Sequence, residues 1–260
     1  MSYLFIILLA AVLVYIIFFR KKVVKAAEIA GVNYDELLDV HVPFYRFLEL
    51  NEKNRFEKRV REFFREVRIE GVGTEVTDVD RVLIAASAVI PIFGFPEWKY
   101  KNLTNVILYP DTFDGEFQFE GGNRNILGMV GSGYMNGQML LSRAALVRGF
   151  SSAAGKENTA IHEFVHLLDK SDGATDGVPA NLQPPAFAAP WLHLMHVEMR
   201  RISAGKSDIN PYALTNEAEF FAVAAEYFFE KPRQLQQKHP ELYASLSSIF
   251  GQDPADGGGR

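Results

Sequence analysis

His162-Glu163-Phe164-Val165-His166 is the most informative stretch of this 260-residue chain, because it sets two histidines four residues apart with a glutamate after the first. On an α-helix, residues four apart lie one turn apart on the same face, so both imidazoles can reach a single metal ion. The glutamate lies about 100° around the helix from the first histidine, where it can act on a metal-bound water without becoming a ligand. This HExxH spacing predicts a zinc site, with the two histidines as ligands and the glutamate as general base.

The residues around the motif favour a helix in which the histidines are buried. Asn158 and Thr159 can cap its start, apolar side chains surround both histidines, and Asp172-Gly173 ends it. Polar groups without partners are costly in apolar surroundings. This favours metal binding over an exposed helix that carries the motif by chance.

A catalytic zinc site needs a third protein ligand, and the residues after the motif exclude the HExxHxxGxxH arrangement. Asp169 and Asp172 occupy the positions of its glycine and its third histidine. Asp169 lies about 10.5 Å along the helix axis from His162, too far to share one metal ion with both histidines. We expect Asp169 instead to hold His166 through a hydrogen bond.

A second helix is predicted over residues 216–229, which are nearly all apolar apart from three glutamates. Such a helix is buried, and buried acids need partners. Glu217 and Glu219 lie about 200° apart on it, so only one of them can face the metal. Glu219 shares a face with Glu226 and precedes two phenylalanines, which favours Glu219 as the third ligand. Two alternatives stay open: Glu219 closes a capping box with Asn216, or Glu226 is the ligand or a support for one.

These features resemble the Mlc titration factor A family of glucose-regulated metallopeptidases, which are zincins related in their catalytic core to anthrax lethal factor. The resemblance runs from about residue 80 to residue 254. The segments that carry it are residues 106–111, 137–142, 162–169, 176–179 and 216–229.

The resemblance implies a zincin-like metallopeptidase with one Zn²⁺ per chain, held by His162, His166 and Glu219, with Glu163 as catalytic base. It also implies that Tyr212, seven residues before Glu219, stabilises the oxyanion of a tetrahedral intermediate with its hydroxyl. A buried structural tyrosine is the alternative for this residue.

The chain departs from the lethal-factor pattern at Val223, four residues after Glu219, where that pattern has a second glutamate. Carboxylate support for a histidine must therefore come from another residue. Asp169 and Glu226 are the candidates.

The resemblance implies a peptidase of the HExxH-plus-glutamate type that acts on a peptide or protein substrate. The name of the family also points to a regulatory protein partner, a transcriptional repressor. The alternative function is therefore a binding module that captures such a protein with little hydrolysis. In a third interpretation the metal only stabilises the fold, although a structural zinc needs no general base.

Residues 3–19 contain no charge and no proline, and with Ser2 they would span roughly 27 Å as a helix, enough to cross a bilayer core. The basic residues Arg20, Lys21, Lys22 and Lys25 follow this stretch rather than precede it, which favours an uncleaved anchor over a signal peptide. Because basic flanks stay on the cytoplasmic side, the expected localisation is the cell inner membrane, single-pass, with a cytoplasmic catalytic domain.

Composition excludes some classes of protein. The formal net charge is −5, so we expect no nucleic-acid surface. The chain has no cysteine, which removes any disulfide framework and is compatible with a reducing compartment.

An α+β fold is expected, with a small mixed sheet beside the HExxH helix and the glutamate-bearing helix completing the site. We predict strands at residues 105–109 and 138–141 and helices at 51–68 and 79–90, the latter capped by Thr77 or Asp78 and stopped by Pro91. Either residues 126–130 or the strand ending at Ser142 could present a sheet edge to an extended peptide.

Four segments are expected along the chain. Residues 1–22 form a transmembrane anchor and 23–75 a helical juxtamembrane part of the catalytic domain. Residues 76–252 form the zinc metallopeptidase core, and 253–260 a disordered tail.

Overall fold

A mixed four-stranded sheet lies at the centre of the structure, a computed structural model that describes residues 32–120, 124–131, 133–256 and 258–259. The strands lie in the order β1-β2-β4-β3, in which β1, β2 and β4 are parallel and β3 runs antiparallel at the edge. Their bounds are β1 (Arg68–Gly71), β2 (Asn105–Tyr109), β3 (Gly128–Val130) and β4 (Gln138–Ser142). A short antiparallel pair, β5 (Gln252–Asp253) and β6 (Gly258–Gly259), lies near the end of the chain.

Ten α-helices occur in the described residues, so the predicted α+β class is confirmed. They are α1 (Tyr34–His41), α2 (Pro43–Arg46), α3 (Leu50–Glu66), α4 (Asp78–Ile92), α5 (Arg143–Gly149), α6 (Thr159–Asp169), α7 (Ala188–Ser203), α8 (Glu217–Glu230), α9 (Pro232–Lys238) and α10 (Pro240–Phe250). Helix α6, which carries the HExxH motif, packs against α4, α8 and the edge strand β3.

Helix α4 lies in the hydrophobic core. Thr77 caps it, because the Thr77 hydroxyl accepts a hydrogen bond from the Asp80 amide (3.2 Å) and the Asp80 carboxylate accepts one from the Thr77 amide (2.8 Å). All residues from Val82 to Ile92 are buried. The helix includes Pro91 and ends one residue later, at Ile92, because a proline in the last turn removes only one hydrogen bond of the helix.

Two local predictions differ from the structure in detail. The amphipathic helix predicted over residues 51–68 is α3, which buries Phe56, Val60, Phe63 and Phe64 against the core. It ends at Glu66, and the chain then enters β1, a four-residue strand that was not predicted. Strand β1 is too short to show a recognisable alternation of apolar and polar residues in the sequence. Its parallel pairing with β2 defines it in the structure.

The membrane prediction requires a correction. No helix in the described part of the chain is long and apolar enough to cross a membrane. The most buried of them, α4, has 15 residues and would span only about 22 Å of a hydrocarbon core that is about 30 Å thick. This finding overturns the expected single-pass localisation in the cell inner membrane with a cytoplasmic catalytic domain. The segment on which that prediction rests, residues 1–22, lies outside the described residues.

The beginning of the predicted disordered tail, residues 253–260, is packed against the fold. Ala255 is buried, its amide donates to the Tyr243 hydroxyl (3.0 Å), and its carbonyl accepts from Arg233 Nε (3.2 Å). These long-range contacts hold a stretch whose composition alone is typical of a loose end. The other predicted boundaries, after residues 22, 75 and 252, stay predictions.

Candidate metal centre

Helix α6 begins at a buried asparagine that fixes the position of the motif. The Asn158 side chain accepts a hydrogen bond from the Ile161 amide (3.2 Å), as an N-cap does. One turn later His162 and Glu163 are buried among apolar residues of the helix. The predicted cap and helix are therefore present, and they point the motif inward.

Three ligand-type atoms from two helices converge beside α6. His162 Nε2 lies 3.0 Å from His166 Nε2 and 2.9 Å from Glu219 Oε2, and His166 Nε2 lies 3.4 Å from the same carboxylate oxygen. Atoms bound to a tetrahedral zinc ion at about 2.0–2.1 Å lie roughly 3.3 Å from one another, close to these separations. The ligand-type atoms of these three residues all lie within 4.8 Å of one another, so this set of two imidazoles and a carboxylate fits a divalent cation.

Helix α8 brings the glutamate to this point. The Asn216 side chain accepts from the Glu219 amide (2.8 Å) and so caps the helix, while the Glu219 carboxylate turns to the histidines and does not close a capping box. Glu217 faces the other way and pairs with the exposed His196 at 3.0 Å. The structure thus brings Glu219, and not Glu217, to the two histidines.

Glu226 holds His162 from behind. One of its carboxylate oxygens accepts from His162 Nδ1 (2.8 Å) and the other from the Asn158 amide (2.5 Å). Because a carboxylate can only accept, this bond places a proton on Nδ1 and turns Nε2 toward Glu219. Of the two candidates for carboxylate support of a histidine, Glu226 and Asp169, it is therefore Glu226 that contacts one.

Asp169 makes a different contact from the one predicted. Its Oδ2 accepts from the Gly177 amide (2.9 Å), and among the described residues its Oδ1 has no hydrogen-bond partner. Gly177 has a φ of +75°, and a Cβ there would lie 2.4 Å from the Glu217 carbonyl, so the loop packs tightly between α6 and α8. Asp169 anchors this loop and does not hold His166.

The electrostatics of the cluster favour a bound positive charge. Burial opposes a charged His162, but hydrogen bonds to Glu219 and Glu226 outweigh it and raise the pKa of His162 to about 10. Burial also opposes a charged Glu219, yet the two histidines lower its pKa to about 2. A cluster that holds a proton so firmly offers the same lone pairs and carboxylates to a metal ion.

Glu163 lies beside the cluster under the edge strand. Burial raises its pKa, and the neighbouring histidines reduce that effect. A Cβ built on Gly128 of β3 would lie 2.7 Å from Glu163 Cγ and 2.8 Å from its Oε1. The backbone of the edge strand therefore passes directly over the Glu163 carboxylate, an approach that only glycine permits.

Tyr212 lies at the solvent side of the cluster. It belongs to a short 3₁₀ helix, Pro211–Leu214, whose start is capped by Asn210. Its ring centroid is 6.1 Å from that of His162, and the residue is 53% exposed. Tyr212 is therefore not a buried structural tyrosine. Burial of part of the ring, and the nearby carboxylate of Glu219, raise its pKa, so the hydroxyl is a proton donor at neutral pH.

A polar network that sequence reasoning missed fixes the loop before Tyr212. The Asp208 carboxylate accepts from Lys156 Nζ (2.6 Å) and the Tyr227 hydroxyl (3.0 Å), and it lies 2.9 Å from His239 Nε2. Its members come from separate segments of the chain, so no local spacing indicates that they meet. The network ties the segment before α6, helix α8 and the Tyr212 loop together.

Comparisons with known proteins identify the family of this chain. A family model described as glucose-regulated metallo-peptidase M90 matches residues 18–251. A Mlc titration factor A of Klebsiella pneumoniae subsp. pneumoniae is 28% identical over 228 residues, which cover 82% of this chain and 84% of the relative. An uncharacterised protein of Synechocystis sp. is 28% identical over 236 residues, which cover 85% of this chain and 84% of the relative.

A third relative, a Mlc titration factor A of Pectobacterium atrosepticum, is 30% identical over 191 residues, which cover 69% of this chain and 71% of the relative. The predicted resemblance is confirmed, because the match to the family model extends over most of the sequence. The chain belongs to the glucose-regulated metallo-peptidase family M90.

Proposed function

We propose that this protein is a zinc-dependent peptidase. The observation that carries the proposal is the convergence of His162 Nε2, His166 Nε2 and Glu219 Oε2 beside a buried Glu163. Membership of a metallopeptidase family supports hydrolysis as the reaction. In this proposal the three convergent residues hold one Zn²⁺ per chain.

The mechanism divides the chemistry among a few side chains. A zinc ion, when bound, would polarise the scissile carbonyl and make a water molecule more acidic. Glu163 takes a proton from the attacking water and later donates it to the leaving amine, a task that suits a buried carboxyl with a raised pKa. The Tyr212 hydroxyl donates a hydrogen bond to the developing oxyanion, and Glu226 keeps His162 in its orientation.

The edge strand supplies a place for the substrate backbone. In an antiparallel pair, hydrogen-bonded residues alternate, and Leu127 and Gly131 bond to β4. Met129 between them therefore also faces β4, whereas the backbone groups of Gly128 and Val130 face outward, where no described residue pairs with them. We propose that an extended peptide adds along this edge, next to Glu163. The strand ending at Ser142, the other predicted edge, lies inside the sheet.

The glycine in this strand gives a specific prediction. Gly128→Ala is expected to lower kcat by about tenfold or more, because the new methyl would collide with Glu163 and displace the general base. The metal content should stay at that of the parent, because the three atoms nearest to a Cβ at Gly128 all belong to Glu163 and none to a proposed ligand. Initial rates and elemental analysis on one preparation measure both.

Gly115→Ala is the matched control, because a Cβ there has no atom of a described residue beyond its chain neighbours within 4 Å. It should leave kcat unchanged. If Gly128→Ala cleaves as fast as Gly115→Ala, the edge strand does not restrict Glu163 and the proposed placement of the base is wrong.

Removal of the metal tests the proposed function itself. We expect the purified protein to contain about one zinc ion per chain and to cleave a mixed peptide pool, and dialysis against a chelator to abolish cleavage. Stoichiometric zinc should restore the rate. Mass spectrometry of the products and elemental analysis are the measurements. Undiminished cleavage by protein stripped of its metal would refute the proposal.

A second candidate function comes from the relatives. The name Mlc titration factor A describes those proteins by an effect on Mlc. By analogy we propose, as the alternative, that this chain captures a regulatory protein with little hydrolysis. The Glu163→Gln variant distinguishes the two functions. If the chain is only a binding module, this variant should keep its affinity for the partner.

A further inference from the structure

A cavity of about 450 Å³ is lined in part by the first turn of helix α6, where Ile161 directly precedes the proposed ligand His162. Its walls are mostly apolar and come from the N-terminal helices, from α8 and from the first turn of α6. Phe44, Phe47, Ile161 and Phe229 contribute to them. The volume falls within the range of about 300–1,000 Å³ that small-molecule sites occupy, so the cavity is large enough for a ligand.

The mouth of the cavity is apolar on one side and basic on the other. Phe47 lines the cavity and is 75% exposed. Lys231 and Arg233 lie at the break between α8 and α9, line the same cavity and are exposed. In the described part of the chain neither cation forms a salt bridge with a carboxylate, although the Arg233 Nε–H is used by the Ala255 carbonyl. The mouth therefore offers two positive charges that are not neutralised by contact.

One acid also lines the cavity, but it is turned inward. The Glu230 carboxylate accepts from Asn158 Nδ2 (2.9 Å), the residue that caps α6. Burial raises the pKa of Glu230 to about 7, although the bond from Asn158 opposes this shift. Near neutral pH it therefore carries only part of a negative charge, and the mouth stays basic overall.

We propose that this cavity binds a single-chain amphiphile with an anionic head, of the fatty-acid type. Its apolar chain would lie against the wall formed by Ile161 and by the Phe44 and Phe229 rings, which pack edge to face with centroids 6.3 Å apart, and its head would lie at Lys231 and Arg233. Transfer of an alkyl chain from water into such a pocket is favourable, because each buried CH₂ group removes apolar surface from water. The exposed cations select the sign of the head group.

Calorimetric titration of the full chain with decanoate, below its micellar concentration, tests the proposal. We expect saturable binding of one molecule per chain, at least about tenfold tighter than binding of decyltrimethylammonium, which has the same chain length and the opposite charge. Equal affinity for the two probes would overturn the proposed role of the cations. Tighter binding of the cationic probe would instead indicate an amine site directed at Glu230. Absence of saturable binding would refute the site.

Two pairs of variants locate the bound molecule. Phe47→Glu and Lys231→Glu should each weaken decanoate binding by about tenfold or more, because each places a negative charge at the mouth. Both positions are exposed, so the fold should be kept. Val72→Glu and Lys206→Glu are the controls, because they likewise replace an apolar residue and a lysine by glutamate, at exposed positions that do not line the cavity. Equal effects in both pairs would show that decanoate binds elsewhere or without specificity.

Discussion

Replacing Glu163 by glutamine is expected to lower peptide cleavage by about 10²- to 10⁴-fold, the usual contribution of a general base. Glutamine has nearly the same size and fits under Gly128, but its amide cannot accept a proton from water. Glu163 is not one of the three residues whose ligand-type atoms converge at the proposed metal position. The variant should therefore keep about one metal ion per chain.

Rates on a peptide pool and elemental analysis of the same sample measure the two quantities together. Glu241→Gln is the matched control, because Glu241 is an exposed glutamate in the first turn of α10. It should cleave at the parental rate. Turnover of Glu163→Gln at the rate of this control would show that another group removes the proton. If Glu163→Gln loses its metal together with its activity, Glu163 belongs to the ligand set.

The convergence of His162, His166 and Glu219 could be largely predicted because most of the information that places them is local. His162 and His166 are placed together by the four-residue repeat of a helix, whatever the rest of the chain does. The opposite directions of Glu217 and Glu219 on one helix allow only one of them to face the histidines, and the face that Glu219 shares with Glu226 favours Glu219. The only long-range step is the packing of α6 on α8, which two strongly apolar helices in one domain make favourable.

The surroundings of the cluster could not be predicted in the same way. The spacing along the helix predicts that Asp169 holds His166. In the structure the Gly177 loop folds back, and the Gly177 amide donates to the Asp169 carboxylate instead. The contact between Gly128 and Glu163 joins residues 35 positions apart (163 − 128) through the register of an edge strand. Such contacts depend on tertiary packing, which neither spacing nor composition encodes.

Glu226 shows where the two kinds of information meet. Its position on the same helix face as Glu219, two turns along, indicates an inward-facing acid but does not decide between a ligand and a support. Only the approach of α8 to the start of α6 brings its second oxygen to the Asn158 amide. A carboxylate that binds both a histidine and the backbone of the same helix aligns that helix and its ligand together.

Glu219→Ala is expected to weaken zinc binding by more than about 100-fold, beyond the 10- to 100-fold that is usual when a residue supporting a ligand is changed. The substitution removes the only carboxylate among the three convergent atoms and leaves two imidazoles. Cleavage should be lost with the metal. Competition with a chromophoric chelator measures the affinity.

The same helix provides the controls. Glu217→Ala removes an exposed carboxylate two residues away that pairs with His196, so zinc affinity should stay at the parental value. Glu226→Gln keeps the volume but weakens the support of His162, so its loss should lie between the two, at about 10- to 100-fold. Equal losses for Glu219→Ala and Glu217→Ala would show that the ligand is misassigned. A larger loss for Glu226→Gln than for Glu219→Ala would make Glu226 the ligand, because a supporting residue acts only through the imidazole that it orients.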